Sequence, residues 1–395
     1  MLRPTMSQQK SRLELPATLS ASLEAGHPWV YRDRVPRGFS APDGALLRVR
    51  AGSYSGWGLW DASSPIALRM LSHREEPTAA WLRTRVAEAW ELRALVRSED
   101  TNAYRLVFGE GDGLPGITVD LYDTTCVVIT YADSLARLLD WLVVALRDIA
   151  PIERVVRRRR GRDHDRLELL WGSPVPGEIV VRENGMRLRV DLERGQKTGL
   201  FLDHRDNRSL VKRLAAGRRV LNLFSYTGAF SLAAALGGAE HVTSVDVSAG
   251  AMAAARQNFA DNGLEPNAHE FLVRDVFEHL AEARGRGQRF DLVVSDPPSF
   301  ANSRGQLKTA LKAYRKLTAD GLRVVRPGGL YAAASCTAQV SPEAFKSVIA
   351  EAAARVNRRF QIVHEAAHAF DHPVMIAHPE GRYLKLVLGR VLENS

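Results

Sequence analysis

Two residues of this chain pair a nucleophile with an acid at matching places in the sequence. Cys336 ends the apolar run Gly329-Leu-Tyr-Ala-Ala-Ala-Ser, and Asp296 follows Phe290-Asp-Leu-Val-Val-Ser and opens Asp296-Pro297-Pro298-Ser299-Phe300. Open α/β sheets hold their ligands at the carboxyl ends of their strands. If both runs are strands of one parallel sheet, a thiol and a carboxylate enter the same crevice, a pairing suited to covalent chemistry on a nucleobase. Carbon 5 of a pyrimidine is a poor nucleophile. A thiolate adding at carbon 6 makes carbon 5 enamine-like, and the thiol leaves once carbon 5 has lost its proton. Asp296 suits the exocyclic amine of cytosine, which donates to carboxylates, and a proton shared with ring N3. Pro297 and Pro298 would stiffen the loop, with Phe300 stacking on the base. The other cysteine, Cys126 in Thr125-Cys-Val-Val-Ile-Thr, reads as a small buried apolar side chain.

A second constellation lies upstream. The run Asn222-Leu-Phe224-Ser-Tyr226-Thr227-Gly228 leads into a segment rich in Ala and Leu. Gly228 and its small neighbours let the backbone pass close to a ligand, and the helix amino terminus can receive an anionic group. Asp246, eighteen residues after Gly228, is placed to accept from ribose hydroxyls. Asp275, after Phe271-Leu-Val-Arg, is placed to reach an adenine amine. A dinucleotide fingerprint needs three spaced glycines, and this turn has only Gly228, which favours S-adenosylmethionine. The alternative for Asp246 and Asp275 is that each caps the helix that follows.

The elements that must position these residues alternate from about 182 onward. Strands are expected at 219–224, 241–247, 270–275, 290–295, 329–335 and 383–391, and helices at about 229–236, 249–262, 307–325 and 342–355. That alternation predicts an α/β fold with a doubly wound, mainly parallel, Rossmann-like sheet. Residues 13–75 read as a small β-rich module. They precede a helix at 79–97, a hairpin-like middle segment and a helix at about 134–149. Three domains are therefore expected: 1–78, 79–181 and 182–395. Arg154-Val-Val-Arg-Arg-Arg-Arg-Gly-Arg carries six arginines in nine positions. It reads either as a solvated loop or as a phosphate-contacting one.

Composition sets bounds. The 395 residues include 54 Lys and Arg against 45 Asp and Glu, a formal charge of +9 that tilts toward a polyanionic partner. Two cysteines exclude a disulfide framework and a cysteine zinc cluster. No apolar stretch has the roughly 18 residues of a membrane span, and the first residues lack a signal-peptide core. A cytoplasmic protein, without membrane or metal partners, is expected.

Taken together the motifs resemble the ribosomal RNA large subunit methyltransferase I family, over most of the chain. Gly26-His-Pro-Trp-Val-Tyr is similar to the opening of that family's PUA domain, and Phe108-Gly-Glu-Gly-Asp-Gly-Leu-Pro-Gly-Ile-Thr-Val-Asp to its middle segment. The most distinctive match is Gln196-Lys-Thr-Gly-Leu-Phe-Leu-Asp-His-Arg-Asp-Asn-Arg, and Asp371-His-Pro-Val with Pro379-Glu-Gly-Arg-Tyr-Leu-Lys fits its closing pattern. The resemblance implies an RNA cytosine-5 methyltransferase using S-adenosylmethionine on large-subunit ribosomal RNA, and leaves a homodimer open. It implies that Gln196, Lys197, Asp203 and Arg205 line the cofactor region, that Asp246, Asp275 and Asp296 contact cofactor or base, and that Cys336 is the nucleophile. The arginine-rich segment and Ala338, where a Gly often stands, depart from the pattern.

Other readings stay open on the residues alone. The Asp296-Pro-Pro-Ser-Phe loop also suits methylation of a purine amino group, with Cys336 as packing. A cofactor-binding RNA chaperone without turnover is another. His364-Glu365-Ala-Ala-His368, with His372 as a third ligand, satisfies a zinc-peptidase pattern, but that pattern requires a helix. Phe360-Gln-Ile-Val reads as a strand instead.

Overall fold

A computed structural model describes residues 12–159, 166–175, 177–195, 198–301 and 304–394. Two compact units emerge. The first runs to Ile179 and takes in Asp191–Leu200 and Phe370–Gly381. The second holds Val180–Val190, Phe201–Ala369 and the chain from Arg382.

In the first unit, β1 (Arg12–Glu14), β2 (Trp29–Tyr31), β3 (Leu46–Ala51), β4 (Tyr54–Trp60) and β5 (Ile66–Ser72) form a sheet in the order β1-β3-β4-β5-β2. Alternation in β3 explains its faces: Leu47, Val49 and Ala51 are buried, while Arg48 and Arg50 point outward. After helix α2 (Ala79–Leu92) comes a second sheet. It comprises β6 (Ala103–Phe108), β7 (Ile117–Tyr122), β8 (Thr125–Thr130), β9 (Arg154–Arg159) and β10 (Arg166–Gly172), with helix α3 (Leu139–Ile149) before β9. The arginine run is therefore largely a β-strand rather than a loop. Val155 and Val156 anchor it in the core beside β8, and Arg157 and Arg158 are themselves buried. Residues 160–162 of that run lie outside the described residues.

A hairpin, β11 (Glu178–Glu183) and β12 (Met186–Asp191), leads to helix α4 (Arg205–Leu214). The second unit's sheet then alternates strand and helix: β13 (Arg219–Leu223), α5 (Ala229–Leu236), β14 (His241–Asp246), α6 (Ala249–Asp261), β15 (Glu270–Val273), α7 (Val276–Gly285), β16 (Phe290–Ser295), α8 (Leu307–Val324), β17 (Val325–Ser335), α9 (Pro342–Arg355), β18 (Arg358–Ala366) and β19 (Lys385–Glu393). Its order is β15-β14-β13-β16-β17-β19-β18, parallel except where β19 joins β17 and β18. All six residues of β16 are buried, as a central parallel strand with both faces covered requires. Order reverses between β13 and β16, so a crevice opens at the carboxyl ends of those two strands. Among the described residues no helix is long and apolar enough to cross a membrane.

Candidate active site

Asp296 and Cys336 are each one residue beyond neighbouring parallel strands, β16 and β17, whose register sets Ser295 opposite Ala333. The structure thus brings the acid and the thiol to one sheet end. Both are half-buried, and the Tyr314 hydroxyl feels the charge of each. Burial is the larger influence on Tyr314, raising its pKa, while hydrogen bonds with Ser335 and Thr337 oppose it.

A hydroxyl network holds the cysteine's loop. Ser335 Oγ donates to the Tyr314 hydroxyl at 3.0 Å, the Tyr314 hydroxyl lies 2.8 Å from Thr337 Oγ1, and Thr337 Oγ1 lies 3.1 Å from Ser299 Oγ. Those bonds tie the loop after β17 to the loop after β16. Beneath them Lys385 Nζ donates to the carbonyls of Thr337, Val340 and Tyr383 at 2.6, 2.9 and 2.9 Å. Burial lowers the Lys385 ammonium to a pKa of about 8, and the charge of Cys336 pulls it back up. That attraction is mutual, so the ammonium favours a thiolate at Cys336.

Asp296 has its own support. His204 Nε2 sits 3.3 Å from Asp296 Oδ2, and His204 Nδ1 lies 3.0 Å from Asn207 Nδ2. Asn207 Nδ2 also donates to the Ala367 carbonyl at 3.3 Å, which fixes the amide with its NH2 toward the histidine. The imidazole proton then falls on Nε2, which lies near the carboxylate without hydrogen-bonding to it. Pro297 is buried and Pro298 exposed. Phe300 packs edge-on against Tyr314, ring centroids 4.8 Å apart, at the border of the core.

The turn after β13 is built by strain and close approach. Phe224, Tyr226 and Gly228 have φ of +57°, +47° and +75°, a left-handed alternation that non-glycine residues hold only when their surroundings enforce it. Asp246 does the enforcing: Oδ2 accepts from the Tyr226 amide and Oδ1 from the Ser248 amide, each at 2.9 Å. Asn258 Nδ2 holds the Thr227 carbonyl at 2.9 Å. A Cβ on Gly228 would meet the Ala255 Cβ at 2.8 Å, so only glycine lets the turn settle on α6. Asn222, 1% exposed, donates to Ser231 Oγ at 2.9 Å, while its Oδ1 finds no partner among the described residues.

Other residues expected at the site vary in place. Asp275 stands two residues past β15 and caps α7, Oδ1 accepting from the amides of Phe277 and Glu278 at 2.8 and 3.1 Å. Capping is therefore part of its work, and the strand ends earlier than expected. Asp203 is buried with Oδ2 accepting from the Tyr383 hydroxyl at 2.6 Å. Arg205 is buried at the start of α4, Nε 3.6 Å from Asp206. Gln196 and Lys197 lie outside the described residues. His204, Tyr314, Thr337, Tyr383 and Lys385 were not anticipated from sequence. His204, Tyr383 and Lys385 stand inside the quoted motifs, which was their only signal.

His364 and Glu365 lie on β18, an edge strand, where consecutive side chains face opposite ways. His368 Nε2 accepts from the Leu384 amide at 3.1 Å, and His372 Nδ1 contacts Asp371 at 2.9 Å. The helix a zinc peptidase needs is replaced by a strand. Among the described residues no group of three or more His, Cys, Asp or Glu could hold a metal ion.

Comparison with known proteins decides the family. Residues 129–374 match the model of the S-adenosylmethionine-dependent methyltransferases, and residues 14–73 match a PUA-like domain. The chain is 38% identical to a ribosomal RNA large subunit methyltransferase of Deinococcus radiodurans, covering 98% of this chain and 99% of that one. It is 36% identical to the ribosomal RNA large subunit methyltransferase I of Aeromonas salmonicida, covering 92% and 95%. The chain belongs to the ribosomal RNA large subunit methyltransferase I family. A crystal structure described as that of a methyltransferase complexed with SAH superposes with a TM-score of 0.86 at 27% identity, covering 96% of this methyltransferase and 99% of that chain. S-adenosylmethionine is accordingly its cofactor. The constrained Gly228 turn, the two oxygens of Asp246 and the unpartnered Asn222 Oδ1 fit such a group.

Proposed function

We propose that this methyltransferase modifies carbon 5 of a cytosine in large-subunit ribosomal RNA, through a transient bond between Cys336 and carbon 6. The observation that carries the reading is Cys336 on the strand end next to Asp296, with the Lys385 ammonium behind its loop. Both relatives quoted above are named as ribosomal RNA large subunit methyltransferases.

The Cys336 thiolate adds to carbon 6 while a proton passes to N3 through the Asp296 carboxyl group, whose carboxylate then accepts from N3–H and from the exocyclic amine. Electron density released by the addition collects at carbon 5. S-adenosylmethionine, when bound, supplies the electrophilic methyl that carbon 5 takes up. Transfer of the carbon 5 proton to a base then expels the Cys336 thiolate, and return of the N3 proton to Asp296 restores the aromatic ring. The Tyr314, Thr337 and Ser299 hydroxyls keep the two loops in register through these steps. Asn222, Phe224, Tyr226, Thr227, Gly228, Asp246 and Asp275 are assigned to the cofactor, with Gln196, Lys197, Asp203 and Arg205 beside them. Pro297, Pro298 and Phe300 shape the base pocket.

Residues 1–78 and 79–181 are assigned to docking the RNA, and 182–395 to the transfer. In support, the outer face of the PUA-like sheet carries a cleft of about 540 Å³ lined by Arg12, Arg48, Arg50, Ser55 and Trp57. Arginines beside an indole suit phosphates and unstacked bases.

The test incubates wild type and Cys336→Ala with methyl-labelled S-adenosylmethionine and ribosomal RNA, then digests the product to nucleosides. Label in 5-methylcytidine that disappears in the variant is expected. Label on a purine amino group, undiminished in the variant, overturns the cysteine mechanism.

A further inference from the structure

The arginine run on β9 is not consumed by the active site, and its side chains divide by role. Arg154 donates to Thr125 Oγ1 at 2.9 Å and to Glu153 at 2.8 Å. Arg158, 6% exposed, donates to the carbonyls of Leu192 and Gly195 at 3.2 and 2.7 Å, pinning the segment that leads to Gln196. Both are structural.

Arg157 is different. It is also 6% exposed, and Nη2 donates to Thr130 Oγ1 at 2.7 Å; its Nε, like that of Arg154, has no partner among the described residues, but Arg154 has the Glu153 ion pair. No described carboxylate forms an ion pair with Arg157. A buried guanidinium left this way is costly unless something else completes its bonds. It lines a cavity of about 460 Å³ together with Arg159, Ser63, Ser64, Thr130 and Tyr131. Arg159 is exposed, and Tyr131 is 51% exposed.

Two acids also line the cavity. Asp61 is already matched: its carboxylate takes Arg69 at 3.2 Å, Ser134 at 2.9 Å and the amides of Ser63 and Ser64 at 3.0 and 2.7 Å. Asp133 is exposed at the rim. Glu168, opposite Arg157 on β10, and Asp133 both attract the Arg157 charge, but neither forms an ion pair with it. A planar guanidinium recognises phosphate by paired N–H bonds, hydroxyls suit a ribose, and an exposed phenol ring offers a stacking platform. The volume lies within the range of small-ligand sites, roughly 300–1,000 Å³.

We propose that this cavity in the first unit binds one nucleotide of the RNA substrate, its phosphate on Arg157 and Arg159 and its base against Tyr131. The assignment rests on the RNA reading above and adds a second anchoring point, on residues that take no part in methyl transfer.

The test measures binding of a fluorescein-labelled ribosomal RNA fragment to the full chain by anisotropy, across a salt titration. Arg159→Ala, Tyr131→Ala and Asp133→Asn change exposed side chains, so their folding is not in question. Losing one phosphate contact on a single strand lowers the salt slope by about 0.7, which is the result expected for Arg159→Ala. Tyr131→Ala should weaken binding at least about fivefold, the lower bound for one base stacked on an aromatic ring, with no change in slope. Asp133→Asn should tighten it. If Arg159→Ala flattens the slope while Tyr131→Ala and Asp133→Asn leave the affinity unchanged, the arginine is only part of a diffuse basic surface and the nucleotide site is refuted. If all three bind like wild type, it is refuted as well. If wild type itself neither binds nor methylates ribosomal RNA, the substrate reading fails first, and the two failures are told apart.

Discussion

Lys385→Met tests whether a buried ammonium governs the reactive loop. Lys385 is 6% exposed, and its Nζ closes three carbonyls around the segment from Thr337 to Val340. Methionine keeps the length and the apolar stem but removes the charge and the donors. Burial lowers the folded pKa to about 8 from 10.5 in the unfolded chain. Below pH 8 the lysine is charged in both states and the native state bears the full cost of burying it. Between pH 8 and 10.5 the native state has released a proton that the unfolded chain still binds, so wild-type stability rises with pH across that window. The shift of about 2.5 units, at about 1.4 kcal/mol per unit, is worth about 3.5 kcal/mol at most.

The assay compares urea unfolding of wild type and Lys385→Met at pH 7, 8, 9 and 10, because the difference cancels every other titrating group. The difference should move in favour of wild type as pH rises, by up to about 3.5 kcal/mol. A difference that stays flat over the series refutes the claim that burial dominates the lysine's titration. In parallel, alkylation of Cys336 by iodoacetamide at pH 7 should be slower in the variant, since the ammonium that favours the thiolate is gone. Equal rates would sever the proposed link between Lys385 and the nucleophile.

Gly228→Ala places a methyl 2.8 Å from the Ala255 Cβ at a φ of +75°, a combination costing about 1–3 kcal/mol in backbone strain alone. Calorimetry should show S-adenosylmethionine bound at least about tenfold more weakly; an unchanged Kd and Tm would show that the turn does not need its glycine. The two thiols should also separate. Cys126 is fully buried on β8, and burial raises its pKa far above the ordinary range, so the native chain should take up one equivalent of a thiol reagent and the denatured chain two. Two equivalents in the native state would contradict that burial.

The doubly wound sheet was legible because its strands are apolar runs that alternate with segments of strong helix formers. Asp296, Asp246, Gly228 and Cys336 fell at strand ends and turns as their spacing required. What escaped notice follows one physical rule: hydrophobic periodicity cannot see a face buried by polar groups. Helix α4 buries Arg205, Asn207, Arg208 and Val211, and Arg208 is held there by both oxygens of the buried Glu183. In the sequence Arg-Asp-Asn-Arg-Ser that face looks like solvent. The same holds for β9, where Arg157 and Arg158 read as a charged loop yet lie inside a sheet.

Lys385 and His204 belong to this class as well. Each is charged or polar and almost fully buried; Lys385 holds the loop beside it through three carbonyls, and His204 stands 3.3 Å from the Asp296 carboxylate. A buried polar residue survives in a fold only when its bonds are completed, so the informative question for each is what completes them. For Arg208, Lys385 and Arg158 the protein does so, with a carboxylate or with carbonyls, and the residue is structural. For Asn222 Oδ1 and Arg157 Nε no described residue does. Those two atoms lie in different units, one near the Gly228 turn and one on a cavity of the first unit. The same unmet valence that supports a cofactor at the first argues for a phosphate at the second.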